Sequence, residues 1–251
     1  MPKVSVIIPV YNASRFLKKT IDSVLNQSFG DFEVVAIDDC SKDDSFKILE
    51  SYKKRDKRIK VYQNSENIGV AQTRNRGIEL AEAEWIAFLD SDDYWAEDKL
   101  KKQLGLHDNN PECLFSYTAS AFCNEQGDLY DYILHVKEKI TFEELLKKNL
   151  ISCSSVIIRK DIIKKYKMLN DDVHEDYVAW LDILKDYTFA IGLDEPLLVY
   201  RFVSNSKSSN RIKSAFMMIR SYRAIGLNWF YTIFCTIRYS FYSISYRRNF
   251  N

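Results

Sequence analysis

Residues 84–95 read Glu84-Trp-Ile-Ala-Phe-Leu-Asp-Ser-Asp-Asp-Tyr-Trp95, an apolar run that stops at three carboxylates in four positions. The run from Trp85 to Leu89 is short and bounded, which predicts a buried strand. Asp90, Ser91, Asp92 and Asp93 then fall just past its carboxyl end, where open α/β sheets bind ligands. Like charges crowded there are costly unless a cation or hydrogen-bond donors compensate them. Carboxylate oxygens are hard ligands that favour Mg2+ or Mn2+, ions that commonly escort phosphates. The plainer reading is an acidic cap, with Asp92 or Asp93 opening a helix that begins near Ala96.

Upstream, Val4–Val10 is β-branched and apolar and predicts a first buried strand, ended by Pro9. Ser14 can cap a helix to about Asn26, with Phe16, Leu17, Ile21, Val24 and Leu25 on one face. Phe32 to Ile37 is a second strand closed by Asp38 and Asp39, and a charged helix follows over roughly 44–55. A third strand spans Ile59 to Tyr62, Asn67-Ile-Gly69 is a turn, and a helix runs from about Val70 to Ala81. Strands alternating with helices make a parallel sheet wrapped by helices. After Leu106 the rhythm changes. Strands are expected at 114–123, 129–134, 155–158, 187–191 and 197–202, with a turn at Gln126-Gly127-Asp128. Thr141 and Glu144 form a capping box for a helix to about Lys148, and His174 to Asp186 reads as another helix. One fused sheet is expected rather than two independent domains.

The net charge of +1 over 251 residues hides an asymmetry. Residues 211–251 hold seven basic and no acidic side chains, leaving 29 basic against 35 acidic in the first 210, a charge of −6. A basic tail on an acidic body suggests a partner of negative charge. The five cysteines are scattered without a C-x-x-C, which argues against a disulfide framework or zinc ribbon and fits a reducing compartment. Val4–Val10 is too short for a signal-peptide core, and the uncharged stretch Ala224 to Ile237 is shorter than a membrane span.

Three polar clusters close successive strands: Tyr11 and Asn12, Asp38 and Asp39, and Asp90 to Asp93. On parallel strands they converge on one crevice. Neither G-x-G-x-x-G nor G-x-x-x-x-G-K-[ST] occurs, so no dinucleotide fold or P-loop is indicated. The segments Val4-Ser-Val-Ile-Ile-Pro-Val-Tyr-Asn12, Ala36-Ile-Asp-Asp-Cys-Ser41, Asn67-x-Gly69, Arg74-Asn75-x-Gly77 and Asp90-Ser-Asp-Asp93 resemble, in order and spacing, the family 2 glycosyltransferases of the GT-A fold. The likeness is dense over 3–100 and continues through Glu175-Asp176 and Glu195-Pro-Leu-Leu-Val-Tyr-Arg201. The tail resembles, more broadly, those of short bacterial enzymes that build O-antigen or capsule repeat units.

The resemblance implies an α/β GT-A domain with a nucleotide-sugar-binding half (1–110), an acceptor-binding half (111–210) and a basic aromatic helical tail (211–251). It implies that Asp39 accepts from the base N3–H of a UDP-sugar, a role an ionised carboxylate suits; otherwise Asp39 caps the next helix or turn. Pro9 and Tyr11 are expected to shape the base pocket, with Asn67 and Ser91 among the nucleotide-sugar contacts. Arg74, or its neighbour Arg76, is expected to face uracil or the diphosphate. Asp90 falls to the ribose or a metal-bound water, and Asp92 to the Mn2+ or Mg2+ that bridges the diphosphate. Family members often carry a His just after the Tyr-Arg pair. Val203 stands there, which leaves a third metal ligand open, and Lys207 and Arg211 could neutralise phosphate in part.

Asp176 is the implied general base of an inverting transfer, with Glu175 the alternate. Without the resemblance, both read as carboxylates offsetting the dipole of the helix they open. Trp180 is either core or a sugar-stacking ring, and His174 a ligand or a cap. The tail's aromatics and cations suit an anionic lipid surface, where lipid-diphosphate-linked saccharide acceptors reside; alternatively its apolar face packs on the body or a second subunit in a homo-oligomer. Single-stranded nucleic acid is disfavoured by the acidic body. The expected protein is therefore an inverting, metal-dependent enzyme, cytoplasmic and peripheral on the inner face of the cell membrane. Its rivals are a sugar-nucleotide pyrophosphorylase, which needs a phosphate loop that is missing, and a non-catalytic sugar-nucleotide sensor.

Overall fold

Every residue of β1 (Val4–Val10) is buried, because helices cover both faces of the sheet it belongs to. The computed structural model describes residues 1–203 and 211–247, without the side chains of 211, 212 and 242–247. After β1 come α1 (Leu17–Leu25), β2 (Phe32–Asp38), α2 (Ser45–Lys53), β3 (Ile59–Gln63), α3 (Val70–Leu80) and β4 (Trp85–Phe88). Then follow β5 (Tyr94–Trp95), α4 (Lys99–Asn109), β6 (Phe115–Cys123), β7 (Leu129–Leu134), β8 (Lys139–Ile140) and α5 (Phe142–Lys147). The chain continues through β9 (Ile157–Arg159), α6 (Lys160–Lys165), α7 (Glu175–Asp186), β10 (Ala190–Arg201), α8 (Arg211–Ala224) and α9 (Trp229–Arg247).

The strands form one sheet in the order β3-β2-β1-β4-β9-β6-β10-β5, with β7 added beside β6 and β8 beside β10. Side chains alternate between its faces. Val6, Ile8 and Val10 join the core under α1, α2 and α4, whereas Ile7 joins the core under α3, α6 and α7. Register places the site. β1 runs parallel to β2 with Val10 opposite Asp38, and parallel to β4 with Ile7 opposite Phe88. The residues after these strands therefore emerge side by side. β9 enters antiparallel between β4 and β6, so the turn before it arrives at that same end of β4. Gly77 of α3 permits the close seat of this helix on β1: a Cβ there would lie 2.5 Å from Ile7 Cγ2.

Several local expectations are corrected. Ser14 does not cap α1; its N–H donates to Asp43 Oδ2 at 3.0 Å, and the helix starts at Leu17. The helix expected near Ala96 starts at Lys99 after the short β5, so neither Asp92 nor Asp93 opens it. The strand expected from Ser155 begins at Ile157, behind a 3-10 turn over Cys153–Ser155. The two strands expected at 187–191 and 197–202 are one strand, β10, with register shifts around Pro196, which has no N–H to give the ladder.

The tail packs by one face and presents another. Met217, Met218, Tyr222, Ile225 and Cys235 are buried, and the Tyr222 ring meets Tyr177 of α7 edge-on at 6.2 Å. Arg238 Nη2 donates to Leu146 O at 2.9 Å. Trp229, Phe230, Ile233, Phe234, Ile237 and Phe241 lie on the exposed side of α9. No helix among the described residues is long and apolar enough to cross a membrane.

Candidate active site

A cavity of about 680 Å³ opens at the carboxyl ends of β1, β2 and β4. Pro9, Tyr11, Asp39, Asn67, Arg74, Asp90, Ser91, Asp92 and Asp176, drawn from widely separated parts of the chain, all line it. Two residues next to these strand ends, Asn12 (φ 50°) and Cys40 (φ 60°), hold left-handed backbone, a conformation that costs non-glycine residues and clusters at functional sites.

Asp39 is buried beside Tyr11, its N–H bonded to Val10 O at 2.7 Å. Its carboxylate accepts from Asn64 Nδ2 (2.7 Å), Ile68 N (2.9 Å) and Gly69 N (2.9 Å). A carboxylate has about four acceptor positions, of which these three bonds take three. Gly69 turns here at φ +86°, and a Cβ would run into Asp171. Asp171 caps α3, accepting from Val70 N at 3.0 Å and Ala71 N at 3.1 Å. Arg76 lies outside the cavity lining and bonds Gln63 O (2.9 Å) and Asn64 Oδ1. It supports the Asn64 that supports Asp39.

The acidic loop is anchored through Asp93. Its carboxylate accepts from Ser154 Oγ at 2.7 Å and Arg201 N at 2.9 Å, while Thr20 Oγ1 donates to its carbonyl at 2.7 Å. Burial and then Asp92 hold the Asp93 carboxyl well above the usual carboxylate range. Arg201 Nε donates to Asp92 O at 2.9 Å. Asp92 lines the cavity beside that pinned backbone. Burial and the adjacent Asp90 push its carboxyl up to about 6. A carboxylate so disfavoured is a fit place for a cation. No cluster of three or more His, Cys, Asp or Glu able to hold a metal occurs among the described residues. The hard oxygens of Asp90 and Asp92 on the cavity wall fit a dication such as Mg2+ or Mn2+, which also takes phosphate oxygens.

Arg74 lines the cavity, but its guanidinium is engaged by carboxylates. Nη2 meets Asp90 Oδ1, and Nη1 donates to Glu175 Oε1 at 2.8 Å, with the Arg74 side chain 4% exposed. Asp176, the next residue of α7, has Oδ1 2.7 Å from Tyr177 N. Burial and then Glu175 push its carboxyl up to about 6, against the pull of Arg74. Trp180 is fully buried and packs on Phe115 (5.0 Å) and Phe88 (6.0 Å), so it is core. His174 Nε2 lies 3.4 Å from Ser214 O. Lys207 and the side chain of Arg211 lie outside the described residues.

Sequence reasoning missed Asn64, Asp171, Cys153, Ser154 and Tyr239. The run Ser152-Cys-Ser-Ser155 offered a signal, because small polar residues interrupt an otherwise apolar segment. Tyr239 gave none, since nothing local tells which tail aromatic turns to the cavity.

The model of the glycosyl transferase family 2 matches residues 5–167. TuaG of Bacillus subtilis, named as a teichuronic acid biosynthesis glycosyltransferase, is 39% identical over 240 residues, 95% of each chain. WfgD of Escherichia coli, a UDP-Glc:alpha-D-GlcNAc-diphosphoundecaprenol beta-1,3-glucosyltransferase, is 36% identical over 84% of this chain and 81% of its own. Among solved structures, TarS 1–349 of S. aureus in complex with UDP-GlcNAc superposes with TM-score 0.74 at 22% identity, over 92% of this chain and 69% of that one. The mannosyltransferase PcManGT of Pyrobaculum calidifontis, in complex with GDP-Man and Mn2+, gives 0.70 at 16%, over 90% and 65%. The fold is GT-A, and the chain belongs to glycosyl transferase family 2. It is a glycosyltransferase, similar to bacterial glycosyltransferases of which one is named for teichuronic acid biosynthesis, and the pyrophosphorylase and sensor alternatives are set aside.

Proposed function

We propose that this enzyme is an inverting, metal-dependent transferase that moves one sugar from a UDP-sugar to a lipid-diphosphate-linked saccharide. The convergence of Asp39, Asp92 and Asp176 on one cavity carries the reading. In it, residues 1–110 hold the donor, 111–210 hold the acceptor, and the exposed side of α9 in the tail faces the membrane. The remaining acceptor position of Asp39 takes the uracil N3–H, while Pro9, Tyr11 and Asn67 enclose the base and ribose. Asp90 and Ser91 border the ribose, and Asp92 holds Mn2+ or Mg2+. A dication there supplies Lewis-acid stabilisation of the departing diphosphate.

Asp176 acts as general base. The acceptor hydroxyl oxygen bonds to the anomeric carbon as the bond from that carbon to the diphosphate breaks. UDP leaves with the electron pair, and the hydroxyl proton passes to Asp176. A carboxyl near 6 is ionised at neutral pH yet basic enough to take that proton. Glu175, tied to Arg74, is the poorer candidate. The exposed aromatic side of α9 supports peripheral attachment at the inner membrane face, since Tyr239 of the same helix lines the cavity.

The test is transfer from UDP-glucose or UDP-GlcNAc to an alkyl-diphosphate-linked GlcNAc in Mn2+. The product's anomeric configuration is read by NMR. Acceptor-dependent UDP release with an inverted product is expected. Retention of configuration, or full activity in excess chelator, overturns the reading.

A further inference from the structure

Four ionisable groups meet at the floor of the cavity from three different elements. Arg74 comes from α3, Asp90 from the loop after β4, and Glu175 and Asp176 from the first turn of α7. Arg74 and Glu175 stand 101 residues apart in the chain, and their side chains are 4% and 7% exposed. Each terminal nitrogen of the guanidinium takes a different carboxylate, so one buried cation joins the acidic loop to the acidic helix start. Arginine's planar fork can do this, whereas a lysine is a point charge. Among the described residues, the adjacent Glu175, Asp90 and the thiol of Cys153 in the turn before β9 also act on Asp176, and His174 lines the same cavity.

We infer that Arg74 is a positioning residue that holds Glu175 away and leaves Asp176 as the ionised carboxylate that takes the acceptor proton. This rests on the proposed role of Asp176 as base. Two neighbours then act on Asp176 with opposite sign. Arg74 favours its ionised form and Glu175 opposes it. A direct charge partner shifts a carboxyl by about 1–3 pH units. Removing Arg74 should raise the Asp176 midpoint, and neutralising Glu175 should lower it. A structural role alone, as packing or helix anchoring, predicts no such opposed pair.

The experiment titrates the Asp176 carboxyl by 13C NMR in full-length protein labelled at aspartate, with the resonance assigned by its loss in Asp176→Asn. Arg74→Gln is expected to raise the midpoint by about one unit or more, and Glu175→Gln to lower it comparably. Arg74→Lys, which keeps the charge but cannot fork, should fall between wild type and Arg74→Gln. The double variant Arg74→Gln/Glu175→Gln removes one buried pair together, so it guards against failure of the single variant to fold. Its midpoint should return toward wild type. The pH dependence of kcat for acceptor-dependent UDP release from UDP-glucose should move with these midpoints. Midpoints that stay put, or a Glu175→Gln midpoint that rises, overturn the role of Arg74 while Asp176→Asn is still inactive. Full transfer activity in Asp176→Asn overturns the base assignment, and this inference with it.

Discussion

Tyr222→Ala tests whether the tail is part of the folded body. Tyr222 is 1% exposed, lies in the core under α7, and meets the buried Tyr177 edge-on. The Tyr177 hydroxyl in turn donates to Leu145 O at 3.1 Å, tying α7 to α5. Truncating an aromatic at such a site removes its transfer energy and leaves a cavity, a loss of about 3–5 kcal/mol. Native stability is typically about 5–15 kcal/mol, so this is a large fraction of it. For a chain of this size each kcal/mol lowers the melting temperature by about 2–4 °C, so a fall of roughly 6–20 °C is expected. Calorimetry of purified full-length protein measures it, with Phe230→Ala on the exposed side as control, expected within about 0.5 kcal/mol of wild type. A fall of less than about 2 °C in Tyr222→Ala would show that the tail contributes little to the fold. The contact described for α8 on α7 would then be wrong.

Asp39→Ala should weaken UDP binding with or without divalent metal, because its partner is the base; calorimetry showing unchanged affinity removes Asp39 from the base pocket. Asp92→Asn should weaken only the metal-dependent part of UDP binding and remove most turnover, and near-normal activity at low Mn2+ contradicts it. Asp176 has its carboxyl raised by burial and Glu175 above the unfolded value of about 3.9. Its ionisation therefore opposes folding, and stability should decline as pH rises from about 4 through about 6, where the folded group ionises. Melting curves across that range should be flatter in Asp176→Asn, and identical slopes count against the shift. Replacing Trp229, Phe230 and Phe234 together by Ser should reduce sedimentation with anionic vesicles while the melting temperature changes little; unchanged sedimentation removes α9 from the lipid surface.

Local chemistry made the first half of this protein legible. Short, bounded apolar runs closed by polar clusters marked β1, β2 and β4, and a parallel sheet brings such ends together. The Thr141–Glu144 capping box was likewise readable, and both of its hydrogen bonds are present. Those signals are contained within a few residues, so periodicity and side-chain type suffice. Partners far apart in sequence were not legible. That Arg74 would meet Glu175, that Asp171 would cap α3, and that Asn64 would brace Asp39 depend on β-register and on how α7 docks. The same residue types at the same spacing are compatible with many such pairings. The tail shows the limit most plainly. Its interleaved aromatics and cations suggested either lipid or packing, and only the docking of α8 and α9 on the body assigned Tyr222 to the core and Phe230 to the surface. An apolar face declares in sequence that it must be covered, but what covers it is decided by the three-dimensional neighbours that folding supplies.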